Sequence, residues 1–278
     1  MTARFQLCSA VLVLAAGRGL AAELDVRDIV RRAAAAEEQN WNLARKYAFS
    51  ERVNLKHLNS DGKVESQEVK IHDVTLLDGT PYKRLVAYGD RPLTAAEERK
   101  EQEKLARSIA ERKKESAVQR ALRLREYDGR PEWQREAWRD LPEAFDFRQA
   151  ADGMWQGRKV YVIHATPRRG FQPRSRTARA MLHLNCELWI DKQDFNLVKA
   201  DVEAIDTIWV GLFLVRIAKG TRAGYEQMRV NGEVWLASQV QATISARLGL
   251  FKVIRLEHEA SYSKCREYTG DSLASRGR

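Results

Sequence analysis

Between Met181 and Asp191 the chain reads "MLHLNCELWID". Strict alternation of apolar and polar side chains over a run of this length demands an extended strand with two unlike faces. Leu182, Leu184, Cys186, Leu188 and Ile190 share one face; His183, Asn185, Glu187, Trp189 and Asp191 share the other. A tight turn follows, and in the next run Val198, Ala200, Val202 and Ala204 oppose Lys199, Asp201 and Glu203. A lone hairpin with one apolar face is not stable in water, so it needs neighbouring strands and a cover.

The neighbours are legible in the same way. "YAFSERVNLKHL", "VESQEVKIHDVTLL" and "YKRLVAYG" are separated by turns containing Asp61-Gly62 and Asp78-Gly79, which predicts three consecutive antiparallel strands. Further runs are "GRKVYVIHATP", "IWVGLFLVRI", "YEQMRV", "EVWLASQVQATISARLG" and "LFKVIRLEHEASYSKCREY", with Asn231-Gly232 as another hairpin turn. About ten or eleven antiparallel strands result. Several are longer than a sandwich needs, which suits a strongly curved sheet. "GLFLVRI" and "GLFKVIRL" are apolar on nearly both pleat faces, so one face must lie under a helix or border an apolar cavity.

Helical patterns are few. Val26, Ile29, Val30, Ala33 and Ala34 stand at helical spacing within 25–46, and Asp25 is the expected N-cap. Residues 93–126 hold ten Lys or Arg and seven Glu with neither Gly nor Pro, opened by a Thr94–Glu97 capping box. Leu105 with Ile109 and Val118 with Leu122 are its only i,i+4 pairs of large apolar residues. One long, thinly striped helix is expected, either a solvated insertion or a projecting partner-binding element. "RPEWQREAWRDLPEAFDF" predicts a short helix leading into a strand. The expected class is α+β, mainly β: a strongly curved, incomplete antiparallel barrel with an N-terminal helix and a long inserted helix. One half-barrel domain is expected over 23–270, with a flexible tail at 271–278.

Arg4, an apolar run from Phe5 to Ala16, and small residues at Gly19, Ala21 and Ala22 predict a signal peptide over 1–22. The run is shorter than the ~20 apolar residues of a membrane helix. An exported, periplasmic protein is expected. Its removal takes Arg4 and Arg18 with no acid, lowering the formal charge of +10 by two. Nucleic acid is not an expected partner, because acids dilute the basic residues of the charged helix and the chain leaves the cytoplasm. Cys186 and Cys265 then remain; in an oxidising compartment they either pair or stay as two buried thiols.

Nothing in the chain predicts catalysis. The histidines His57, His72, His164, His183 and His258 fall in separate strands, no serine or cysteine sits in a nucleophile-elbow context, and no metal-ligand spacing occurs. No catalytic residue, metal or cofactor is expected. Trp189, Trp209, Phe213, Val215, Trp235 and Phe251 are the candidates to line an apolar groove. Arg168, Arg169, Arg174, Arg176 and Arg179, in an acid-free stretch, are the candidates to meet an anionic surface.

"LWIDKQDFNLVKADVEAI" resembles the central hairpin of bacterial outer-membrane lipoprotein carrier and sorting proteins, the LolA-like superfamily, where a strand ending in Trp-(Ile/Val)-Asp turns tightly into one carrying a Lys. "GRKVYVIHATP" before it and "VNGEVWLASQVQ" after it agree in order. The resemblance spans 25–268 and implies an incomplete barrel whose concave side, partly plugged by helices, accepts acyl chains of a lipid or lipoprotein. The charged insertion departs from the smaller carriers. Periplasmic sigma-factor regulators share the frame, so an envelope sensor or protein-interaction module is the alternative.

Overall fold

The computed structural model describes residues 24–128, 131–210, 215–249 and 252–268. The predicted signal peptide and tail, and the candidates Phe213 and Phe251, lie outside the described residues. In chain order the elements are α1 (Val26–Ala44), β1 (Tyr47–Leu58), β2 (Val64–Leu77), β3 (Thr80–Tyr88), β4 (Arg91–Pro92), α2 (Ala95–Lys114), α3 (Ala117–Asp128) and α4 (Glu132–Ala144). They continue with β5 (Phe145–Trp155), β6 (Arg158–Pro167), α5 (Arg176–Met181), β7 (Leu184–Asp191), β8 (Leu197–Ala204), β9 (Ile208–Val210), β10 (Val215–Ile217), β11 (Arg222–Val230), β12 (Val234–Leu248) and β13 (Lys252–Glu267).

The strands form a single open antiparallel sheet in the order β4-β3-β2-β1-β13-β12-β11-β8-β7-β6-β5, with β10 pairing β12 beyond the end of β11 and β9 pairing β10. The first long strand thus pairs with the last, Val53 opposite Ala260. At the two-residue turns Asp78-Gly79 and Gln156-Gly157 both residues have positive φ, from 46° to 83°. That is the type I′ geometry, whose twist matches the flanking strands.

Register explains the two unlike faces. One transverse row runs Ile163, Leu188, Ala200, Tyr225, Val240, Ala260, Val53, apolar or aromatic throughout. The next row, one residue along, runs His164, Glu187, Asp201, Gly224, Gln241, Glu259, Asn54. A slip of one residue in any strand would exchange them, so burial of the first row holds the register. The cover is α1: Ile29, Val30 and Ala33 are fully buried against Ile163, Leu188, Ile190, Leu197 and Ala200. At Asp25 the chain turns into α1 without a side-chain capping bond.

The β7–β8 turn is built around Asp191, which is 0% exposed. Its carboxylate accepts a two-pronged contact from Arg158, Nε to Oδ2 at 2.5 Å and Nη2 to Oδ1 at 2.8 Å. The backbone N–H groups of Gln193 and Asp194 also donate to it, at 2.8 and 3.1 Å. Burial alone would raise its pKa; the Arg158 hydrogen bond and the two backbone donors outweigh that and hold it below the ordinary carboxylate value. Lys199, which follows the turn, lies over the rings of Trp155 and Trp189.

Three sequence expectations are corrected. The charged segment is two helices: Glu115 is extended (φ −60°, ψ 134°), and Ser116 starts α3 by exchanging hydrogen bonds with Gln119. The Thr94–Glu97 box at the head of α2 forms as expected, and Arg91 and Thr94 together lower the Glu97 pKa to about 2. "IWVGLFLVRI" is not one strand, since Val210 pairs with Val215 and Ile208 with Ile217 across a hairpin. Finally, an irregularity between Trp189 and Ile190 brings Leu197 opposite Ile190, and Val198 packs with Val160 and Trp235 away from the α1 cluster.

Among the described residues, the thiols of Cys186 on β7 and Cys265 on β13 are free. Burial pushes Cys186 up to about 12 and raises Cys265 as well. The thiolate is the reactive form, so at pH ~8 Cys265 should be alkylated by a maleimide well before Cys186. Intact-mass time courses of the two single Cys→Ala variants read this directly, and faster labelling of Cys186 would contradict its burial.

Candidate functional site

The helices cover the sheet unevenly, and the gap is the site. The N-terminal half of α1 is pressed onto β6–β8; its C-terminal half, with α4 and the end of α3, roofs a cavity of ≈ 560 Å³ above β1, β2 and β11–β13. The volume falls in the range of small-molecule sites, ~300–1,000 Å³. The floor presents Phe49, Val74, Leu76, Tyr225, Val240 and Tyr262. The roof presents Trp41, Ala44, Tyr127, Trp133, Ala137 and Trp138. Trp133, at 59% exposed, marks the rim.

Polar contacts hold this shell in place. Asn40 of α1 exchanges two hydrogen bonds with the backbone of Trp235, donating at 2.8 Å and accepting at 2.9 Å, as a neighbouring strand would. Tyr127 donates its hydroxyl to the Arg45 carbonyl at 2.6 Å, tying α3 to the end of α1. Arg123 grips the β2–β3 turn through Asp78 and Thr80. In the floor, Phe49 and Tyr262 meet edge to face at 5.5 Å; burial, then Glu51, raises the Tyr262 pKa. The floor and roof together offer aromatic and aliphatic surface with few charges, which suits an apolar ligand held without covalent chemistry.

A second cavity, ≈ 680 Å³, lies against the polar row on the opposite face and is lined by Glu187, Asp201, Glu203, Glu257 and Glu259 among others. Lys56 pairs there with Glu257 at 3.1 Å and Arg222 with Glu203 at 3.3 Å, and His164 Nδ1 lies 3.4 Å from Glu187. It is an open polar surface on which Glu257 and Glu203 are paired with cations. Among the described residues no group of three or more His, Cys, Asp or Glu is arranged to hold a metal ion.

Of the apolar candidates read from the sequence, Trp235 lines the helix-side cavity. Trp189 packs on Trp155 with ring centroids 6.0 Å apart and donates to Glu187 at 2.8 Å. Trp209 is 51% exposed and stacked under Arg216; Val215 sits opposite Val210 in the small hairpin. The cavity residues that sequence reasoning missed, Trp41, Trp133 and Trp138, belong to helices. Trp41 stands eleven residues after Val30, about three turns on and so on the same side of α1, whereas Trp138 stands five after Trp133, a spacing that does not align the two on one side of α4. Of the arginines, Arg168 is committed to Asp146 at 2.9 Å and Glu143 at 3.5 Å. Arg169, Arg174, Arg176 and Arg179 are exposed around α5.

No protein-family model matches the chain, and no curated protein does. Solved structures do match. A LolA superfamily protein from Nitrosomonas europaea is 10% identical over 88% of this chain and 94% of that one, with a TM-score of 0.32. A DUF1329 family protein from Desulfovibrio piger is 10% identical over 90% and 97%, with a TM-score of 0.36. MucB of Pseudomonas aeruginosa, solved with MucA, is 12% identical over 89% and 100%, with a TM-score of 0.25. Identities this low bear on neither cargo nor residue roles. Among the described residues no helix is long and apolar enough to cross a membrane.

Proposed function

We propose that this protein is a non-catalytic periplasmic carrier or chaperone that holds an acyl chain of a lipid or lipoprotein in the helix-side cavity. The observation that carries this reading is the apolar, aromatic-walled space of ≈ 560 Å³ left between α1, α4 and the sheet. Each buried methylene contributes about 0.8 kcal/mol, so affinity needs no specific polar chemistry. Protein purified from its native host should carry lipid, visible as a ligand mass in native mass spectrometry, and lipid-stripped protein should take up a fluorescent fatty acid. Absence of both would remove the carrier reading.

The exposed arginines around α5 suit contact with anionic headgroups during loading or release. Arg174→Glu should weaken binding to anionic vesicles about fivefold at low ionic strength, and the difference should fade as salt screens it. Unchanged vesicle binding at low salt would exclude that stretch as a membrane contact.

One observation favours the alternative of an envelope sensor or protein-interaction module. Val118 and Leu122 form an apolar pair on α3 that is 69% and 54% exposed, as a partner-binding helix face would be. If neither lipid nor probe binds, that reading takes the place of the first.

A further inference from the structure

One edge of the sheet is covered by a helix that makes little use of apolar contact. Beyond β3 the sheet ends in β4, which pairs only with Ala87 and Tyr88. Among the described residues no strand lies outside 81–86 of β3; α2 lies there instead. The hairpin sets Leu77 opposite Thr80, and alternation from that pair turns the Leu85 N–H away from β2. Glu101 of α2, 5% exposed, accepts that N–H at 3.3 Å. A carboxylate thus takes the place of a neighbouring strand's carbonyl.

The other ties are ionic. Glu98 pairs with Arg84 of β3, and Glu97 accepts from both prongs of Arg91 of β4, at 2.9 and 3.0 Å. Among the described residues of α2 only Glu101 is buried, while Leu105 and Ile109 are half-buried. Exposed ion pairs contribute little, so a helix held mainly by them belongs to the low-stability end of the fold. It is tied at both ends, to β4 and to α3, so displacement lifts or unravels it in place. The edge beneath offers outward backbone groups flanked by Arg84 and Arg91, which suits strand addition by an extended chain that carries carboxylates.

We propose that the outer edge of β3 is a docking site for an extended acidic segment of a partner protein, and that α2 masks it. Glu97 and Glu98 on the two arginines, with Glu101 on the Leu85 N–H, hold the place of that segment. Arg84, Leu85 and Arg91 lie outside the lining of the helix-side cavity, so the site stands whether or not the cavity takes an acyl chain.

The probe is a fluorescein-labelled peptide of alternating glutamate and valine, with the lysine–valine peptide as control. Glu98→Ala combined with Glu101→Gln loosens α2 and leaves the basic edge intact. By fluorescence anisotropy this double variant should bind the glutamate peptide about tenfold tighter than wild type, because the unmasked state is more populated. The lysine peptide should not bind, and adding Arg84→Glu should remove the gain. Near-UV circular dichroism establishes that the variants are folded. Equal affinity of wild type and folded double variant would overturn the inference, as would a gain that Arg84→Glu leaves in place or that the lysine peptide shares. Should the double variant not fold, hydrogen exchange of the wild-type protein at millimolar glutamate peptide decides. There α2 should lose protection while β3 keeps it, and unchanged exchange in α2 would overturn the inference.

Discussion

Asp191→Ala should destabilise the protein by about 3–5 kcal/mol, because it strips one partner from a buried ion pair and leaves the other behind. The carboxylate it removes is 0% exposed. The loss would leave Arg158 with Asp194, at 3.4 Å, in place of its two-pronged partner, and would strip the N–H groups of Gln193 and Asp194 of their acceptor. Urea denaturation midpoints at neutral pH read the effect, and Asp191→Asn, which keeps an acceptor for the two backbone donors, should lose less. The pH dependence has a definite sign. The folded-state pKa of Asp191 is depressed, so its stabilisation is fully present above the ordinary aspartate value of ~3.9 and is lost as pH falls through the lower, folded-state value. The gap between wild type and Asp191→Ala should therefore be constant from neutral pH down to about 4 and narrow below it. A gap that instead narrowed between pH ~5 and 7 would show that another group carries the linkage.

Val240→Asp should abolish acyl uptake, reducing affinity by about a hundredfold or more, since a carboxylate in the cavity floor must lose its hydration when the chain enters. Val240 lies in the apolar row between Tyr225 and Ala260. Thr243→Asp is the matched control, because Thr243 lines the polar cavity on the other face and is exposed; it should bind the probe as wild type does. Near-UV circular dichroism establishes that both variants keep their tertiary packing. If folded Val240→Asp takes up the fatty acid normally, the ligand does not occupy this cavity.

The alternation from Leu184 to Asp191 determined which side chains share a face, and the structure keeps that partition, with Leu188 and Ile190 under α1. What alternation does not encode is which face the helices cover. Trp189 looked like a ligand contact because it is large and aromatic, yet it belongs to the face away from α1, where it packs on Trp155. The candidate cavity is formed by separate segments, α1, α3, α4 and seven strands, so its composition depends on tertiary placement that no local pattern carries. Other misses were legible. Ser116 followed by Gln119 is a capping box of the same kind as Thr94–Glu97, and it breaks the charged segment into α2 and α3. The split of "IWVGLFLVRI" was harder: an apolar run without polar punctuation reads as one buried strand, and only its pairing with itself shows otherwise.

The partnership of β1 with β13 sets the order in which the molecule can be assembled. Tyr47 faces Glu267 and His57 faces Leu256, so this second pairing of the first long strand waits for nearly the whole chain to leave the ribosome. Until then β1–β3 and β5–β8 exist as two meanders, each with an unpaired edge and without the strands β11–β13 that join them. Such late, distant closure makes for slow folding and a long exposure to aggregation. A chain truncated before Lys252 would keep most of its residues and lose the strand that joins its two halves.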